Sequence, residues 1–116
     1  MQHMARVVIE SPYKGDVERN LAYAKTAMLD SILRGEAPFA SHLLYTLVLN
    51  DKLIAERERG ITMGQAWLLE ANLVAFYTDL GISPGMNESL KLLKSKRIRV
   101  PFEMRKVNSN VLNLLR

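Results

Sequence analysis

Residues 5–16 read Ala5-Arg6-Val7-Val8-Ile9-Glu10-Ser11-Pro12-Tyr13-Lys14-Gly15-Asp16. Ala5 to Glu10 is short, β-branched at its centre and closed by Ser11-Pro12, the profile of a buried strand that runs into a turn. Lys14-Gly15 continues the turn, and Asp16 is placed as a helix N-cap. From there Val17, Leu21, Ala24, Met28 and Ile32 recur at spacings of three and four. They form one stripe on a helix that stops near Gly35.

The same succession continues along the chain. Phe39 to Leu44, after Pro38, reads as a second short strand or extended segment, and Tyr45 to Asp51 is ambiguous. Leu53 to Glu70 predicts a helix, charged at its start and apolar later. Asn72 to Tyr77 is the clearest strand after the first and ends in the polar loop Thr78-Asp79-Leu80-Gly81. Ser83-Pro84 pairs a Ser N-cap with Pro at the first helical position, so a helix is predicted from there to about Lys96. Arg97 to Phe102 alternates basic and apolar residues as a last strand, and Asn108 to Arg116 suits a terminal helix. Strands that alternate with helices predict an α/β fold, a parallel sheet of four to five strands with helices on both faces. One domain is expected over residues 5–102, followed by a basic tail, 103–116, that suits a helix.

Composition narrows the chemistry. The chain has 116 residues and no cysteine, which excludes a disulfide scaffold, a zinc ribbon and a thiol nucleophile. With only His3 and His42 as imidazoles, neither a metal site nor a cofactor is expected. No G-x-G-x-x-G fingerprint and no P-loop ending is present. Apolar runs are only a few residues long, so no membrane span is expected. Met1-Gln2-His3-Met4 lacks the features of a signal peptide, and a cytoplasmic location is the expectation. The net charge of +4 is uneven: residues 1–90 carry 8 basic and 11 acidic side chains, and residues 91–116 carry 8 basic and 1 acidic. The excess is confined to the C-terminal part, which lacks interleaved aromatics, so nucleic acid is not the favoured partner.

In parallel sheets ligands sit beyond the carboxyl ends of the strands. That rule selects Ser11 to Asp16, the neighbourhood of His42, and Asp79 to Ser89. Ser11, Pro12, Tyr13 and Asp16 belong to a loop of hydroxyl, phenol and free N–H groups suited to a phosphate or sugar, or to a plain capped turn. Asp79 and Glu88 flank one crevice as a carboxylate pair for glycosidic chemistry. The alternative makes Asp79 a turn former and Glu88 a helix-dipole partner. His42 is a proton shuttle, a base-stacking partner or a structural residue.

Four stretches carry a resemblance: Val7 to Tyr13, Gly35 to Leu44, Glu58 to Ile61 with Gly64, and Asp79 to Met86. In this order they resemble the nucleoside 2-deoxyribosyltransferase-like superfamily, in its short phage- and mobile-element-type members, over about residues 5–102. The resemblance implies a flavodoxin-like (Rossmann-like) sheet and homo-oligomers whose subunits help complete each site. It also implies a glutamate that attacks C1′ of a deoxyribonucleoside and releases the base. The motif S-x-G-[M/V]-x-x-E matches at Ser83, Gly85 and Met86, but its glutamate position falls on Ser89, with Glu88 one helical step away. The resemblance carries over Ser11 and Tyr13 as sugar or phosphate contacts and Asp79 as a supporting group.

The expected function is therefore cleavage or transfer at the N-glycosidic bond of a (deoxy)nucleoside or nucleotide. Glu88 is the expected nucleophile, with Asp79 in support. The alternative is a module that binds a nucleotide or an ADP-ribose-like ligand and has lost the chemistry, because Ser89 stands at the glutamate position.

Overall fold

The computed structural model of the chain describes residues 3–95 and 97–114. Four strands, β1 (Arg6–Glu10), β2 (Ala37–Phe39), β3 (Leu73–Tyr77) and β4 (Phe102–Arg105), form one all-parallel sheet in the order β2-β1-β3-β4. The helices are α1 (Val17–Leu33), α2 (Ser41–Leu44), α3 (Ile54–Leu69), α4 (Pro84–Leu93) and α5 (Ser109–Leu114), with a 3-10 turn at Tyr45–Leu47. This is the α/β parallel sheet that the alternation predicts, in the flavodoxin-like arrangement that the resemblance implies.

Both faces of the sheet are covered. Side chains alternate across a strand. Val7, Ile9, Ala75 and Tyr77 face one way and pack with Ala27 of α1 and Val111 of α5. Val8, Val74 and Phe76 face the other way and pack with Leu68 of α3 and with Met86, Leu90 and Leu93 of α4. The central strand β3 is closed to solvent from Val74 to Tyr77.

Two segments depart from the sequence expectation. The second strand stops at Phe39, and Ser41 to Leu44 is helical. Its apolar residues suit either period, and the chain satisfies its backbone locally, with Leu43 N donating to Ala40 O at 3.1 Å. The last strand is Phe102 to Arg105 and not Arg97 to Phe102. Ile98 and Val100 tuck under the α3/α4 core from a loop, which gives alternation without a sheet partner. Pairing begins where Pro101, which has no N–H, offers only its carbonyl to Val74 N at 3.0 Å. The sheet and core thus extend past residue 102, with Val107 and Val111 buried. α4 ends at Leu93, and Lys96, Leu115 and Arg116, which the predicted helices included, lie outside the described residues.

A buried polar network fastens this C-terminal part. Arg105 donates to both Glu36 carboxylate oxygens, at 2.8 and 2.7 Å, and to Tyr77 Oη at 3.2 Å. Tyr77 Oη donates to Asp30 at 2.6 Å, and Asn108 N donates to the other Asp30 oxygen at 2.9 Å. Burial and the Asp30 bond push the Tyr77 phenol up to about 12. Arg105, part of the basic C-terminal excess, is therefore consumed inside the fold.

Candidate functional site

A cleft of about 390 Å³ opens at the carboxyl edge of β1, walled by the loop after β1, by α2 with the following turn, by α3 and by the start of α4. This volume lies in the usual range for small-molecule sites. Its position follows from topology: β1 and β3 are adjacent, and their connections leave toward opposite faces of the sheet.

The loop after β1 is pinned from below. Asn20, buried on the first turn of α1, donates through Nδ2 to the carbonyls of Tyr13 and Lys14, both at 2.9 Å. Asp16 caps α1 by accepting from Arg19 N at 3.1 Å. Gly15 between them has φ +96°, a conformation that L side chains avoid. The α4 wall starts with a reciprocal cap in which Met86 N donates to Ser83 Oγ at 3.2 Å and Ser83 N donates to Met86 Sδ at 3.4 Å. On α3, Gly60 and Gly64 line the cleft four residues apart and leave the helix surface bare there. Gly64 also permits a close approach, since a Cβ at that position would meet Ser41 Oγ at 3.2 Å.

Glu10 forms the floor. It is the last residue of β1 and shares the face of Val8, so its side chain emerges between α3 and α4 at the edge where the sheet stops covering itself. Burial drives its carboxyl from the ordinary 4.5 up to about 7, against a smaller opposing effect of a hydrogen bond with the Ser89 side chain. A carboxyl that titrates near neutrality inside a cleft is a common signature of a working acid or base.

Around it stand groups that suit a flat, hydroxylated ligand. Tyr13 stacks on His42, with ring centroids 4.9 Å apart and planes inclined by 23°. Burial holds the His42 imidazole below its ordinary pKa, against Asp51 and a backbone hydrogen bond at Ser11, so the ring is neutral at pH 7. Ser11 Oγ is buried and has no hydrogen-bond partner among the described residues. Such orphaned hydroxyls are rare in native interiors. The rim carries Lys14 and Arg57 beside Asp51, Glu56 and Glu88.

Of the residues expected from sequence, Ser11, Tyr13, His42, Ser83, Gly85, Met86, Glu88 and Ser89 line the cleft. Pro12 is buried outside its lining, and Asp16 is exposed and occupied as the α1 cap. Asp79 is on the other side of the sheet. It accepts from Tyr23 Oη and, at 3.0 Å, from Val107 N, so it ties α1 to the segment after β4. The reason is alternation: Tyr77 faces α1, and Asp79, two residues on, keeps that side. Glu88 reaches only the rim, where its carboxylate is 68% exposed and lies 3.5 Å from Lys91 Nζ. One step of about 100° along the helix turns Glu88 outward and Ser89 inward. The two carboxylates expected to converge do not, and the carboxylate on the cleft floor is Glu10, the last residue of the first strand, which no sequence motif singles out. Glu56 and Arg57, from the charged start of α3, also line the cleft.

Fold and site together define a small parallel α/β protein with a carboxylate-floored ligand cleft at the edge of its sheet. A family described as a domain of unknown function (DUF7768) matches residues 5–103, and the chain belongs to that family. No curated protein matches the chain. Among the described residues no helix is long and apolar enough to cross a membrane.

Proposed function

We propose that the cleft takes a nucleoside or nucleotide and that the protein cleaves or transfers its N-glycosidic bond. The observation that carries this reading is the Glu10 carboxyl on the cleft floor, which burial pushes up to about 7. N-glycosidic chemistry needs a carboxylate near C1′, and a group of that pKa is ionised often enough at neutral pH to serve. The Tyr13–His42 stack offers an aromatic surface for a base, and the Ser11 hydroxyl offers an unclaimed partner for a sugar or phosphate oxygen. The four resembling stretches point the same way, since all four contribute cleft residues.

The test is incubation of the protein with deoxynucleosides, nucleosides and their 5′-monophosphates, with chromatography for free base. The reading predicts base release from at least one of them. No release from any overturns it. Ser89 at the glutamate position favours a second reading, binding of a nucleotide or ADP-ribose-like ligand without turnover. Its mark is a raised unfolding midpoint with the ligand and no free base.

A further inference from the structure

We infer that the cleft selects nucleosides whose base is a cationic ring, such as a pyridinium or an N7-alkylated purine, and that Asp51 and Glu56 set this preference. The inference rests on the nucleoside reading of the cleft and narrows its substrate class.

The first observation is charge. The cleft is lined by four acidic side chains, Glu10, Asp51, Glu56 and Glu88, and by two basic ones, Lys14 and Arg57, on a chain whose net charge is +4. Glu88 is taken up at the rim by Lys91. Among the described residues neither Asp51 nor Glu56 has an ion-pair partner, and Glu56 accepts from Asn50 N at 3.1 Å. The Asp51 charge acts on both rings of the Tyr13–His42 stack. A cationic ring laid on that stack meets the negative face of an aromatic ring and the field of Asp51 together.

The second observation is how little the cleft offers a phosphate. Anions bind where the N–H groups at a helix start are free. At the start of α4 Pro84 has no N–H, Met86 N donates to Ser83 Oγ, and Asn87 N donates to Ser83 O at 3.0 Å. Gly85 N alone remains of that turn. The first turn of α1 is capped by Asp16. The sugar end meets a neutral dipole instead: Ser11 Oγ is buried in the cleft wall and has no partner among the described residues, which suits a hydroxyl.

The third is the leaving group. A neutral base must gain a proton as it departs. The stack is a poor source, because its imidazole is neutral at pH 7 and burial with the Asp51 charge raises the Tyr13 phenol. Glu10 is the carboxyl that the reading sets near C1′. A cationic base needs no proton. Its C1′–N bond breaks and the electron pair neutralises the ring. The oxygen of water bonds to C1′, and one proton of that water goes to solvent.

The full chain is titrated by calorimetry with two matched pairs. Nicotinamide riboside, a permanent cation, is paired with its uncharged dihydro form at neutral pH. 7-Methylguanosine is paired with guanosine in mildly acidic buffer, which keeps the methylated base cationic. The cationic member of each pair is expected to bind about tenfold or more tightly, and added salt to weaken its binding alone. Asp51→Asn combined with Glu56→Gln removes the charges and keeps the shapes, and it is expected to reduce the preference to about threefold or less. Equal affinities within both pairs, a preference that survives the double variant, or tighter binding of a 5′-monophosphate than of its nucleoside overturns the inference.

Chromatography of the same mixtures separates this inference from the reading beneath it. Faster base release from guanosine than from 7-methylguanosine, each corrected for spontaneous loss, overturns the inference and leaves the N-glycosidic reading standing. A charge preference in binding with no base released from any nucleoside or nucleotide overturns the N-glycosidic reading and leaves the preference standing.

Discussion

Glu10→Gln makes the chain more stable at neutral pH and above, and the size of the gain follows from the cleft. The folded state holds the Glu10 carboxyl near 7 against an ordinary 4.5. At about 1.4 kcal/mol per unit, this difference amounts to about 3 kcal/mol. The sign follows from proton counting. Between the two values the folded chain binds more protons at this site than the unfolded chain, so stability falls as pH rises through that window. The glutamine analogue keeps the shape and has no charge to bury. Wild type and variant therefore unfold alike near about pH 4. Near about pH 8 the variant is ahead by about 3 kcal/mol, roughly 10 °C in unfolding midpoint for a domain of this size.

The assay is urea unfolding of both chains at the two pH values. Tyr13, Lys14, His42, Asp51, Glu56, Arg57 and Glu88 face the same cleft, but they are common to both chains and cancel in the difference. Equal stability near pH 8, or a less stable variant there, refutes the placing of Glu10 in a desolvated floor.

Other outcomes follow from the rest of the molecule. Arg105→Met leaves the Glu36 carboxylate with the Ser31 hydroxyl and no cation, and Tyr77 with Asp30 alone, and urea unfolding should show a loss of about 3–5 kcal/mol. Bonds from Arg105 hold the Glu36 carboxyl below its usual range, and the Tyr77, Asn108 and Arg34 bonds hold Asp30 low against its burial. The stability these two carboxylates contribute is thus present above the ordinary carboxylate pKa and lost as pH falls through their depressed values. Thermal melts across the acid range should show this as a falling midpoint that is shallower in Arg105→Met. Glu88→Ala removes only an exposed pair and should change stability by less than about 0.5 kcal/mol, with base release unaltered. Tyr13→Ala removes the stacking surface, and calorimetry with the best deoxynucleoside should show affinity reduced by about twofold to tenfold.

The parts of the fold legible in the sequence are those where one period dominates. Val17 to Ile32 repeats at helical spacing and becomes α1, and Ser83-Pro84 marks the start of α4 through cap chemistry that is entirely local. Ile98 and Val100 alternate without belonging to a strand, because a loop that lies under a helix also buries every second residue. The position of the cleft follows from the sheet-edge rule, but the two loops supply only part of its lining, and most of the rest comes from α2, the segment after it and α3.

Its carboxylate was legible in principle. Val8 is a core residue, Glu10 shares its face, and a charge two positions beyond a core valine at a strand's carboxyl end must sit at the mouth of the sheet. The same count from Tyr77 sends Asp79 to the far side. Asn20, which pins the first loop, and the pairing of Arg105 with Glu36 across the domain depend on tertiary closure and leave no local mark.

The central claim is that Glu10 is the working carboxylate of the ligand cleft. The most direct measurement is a carbon-13 NMR titration of its side-chain carboxyl, without and with a saturating deoxynucleoside. The account predicts a midpoint near 7 for the free protein, and a midpoint displaced when the ligand is bound. A midpoint at the ordinary 4.5, or one that the ligand leaves unmoved, contradicts it.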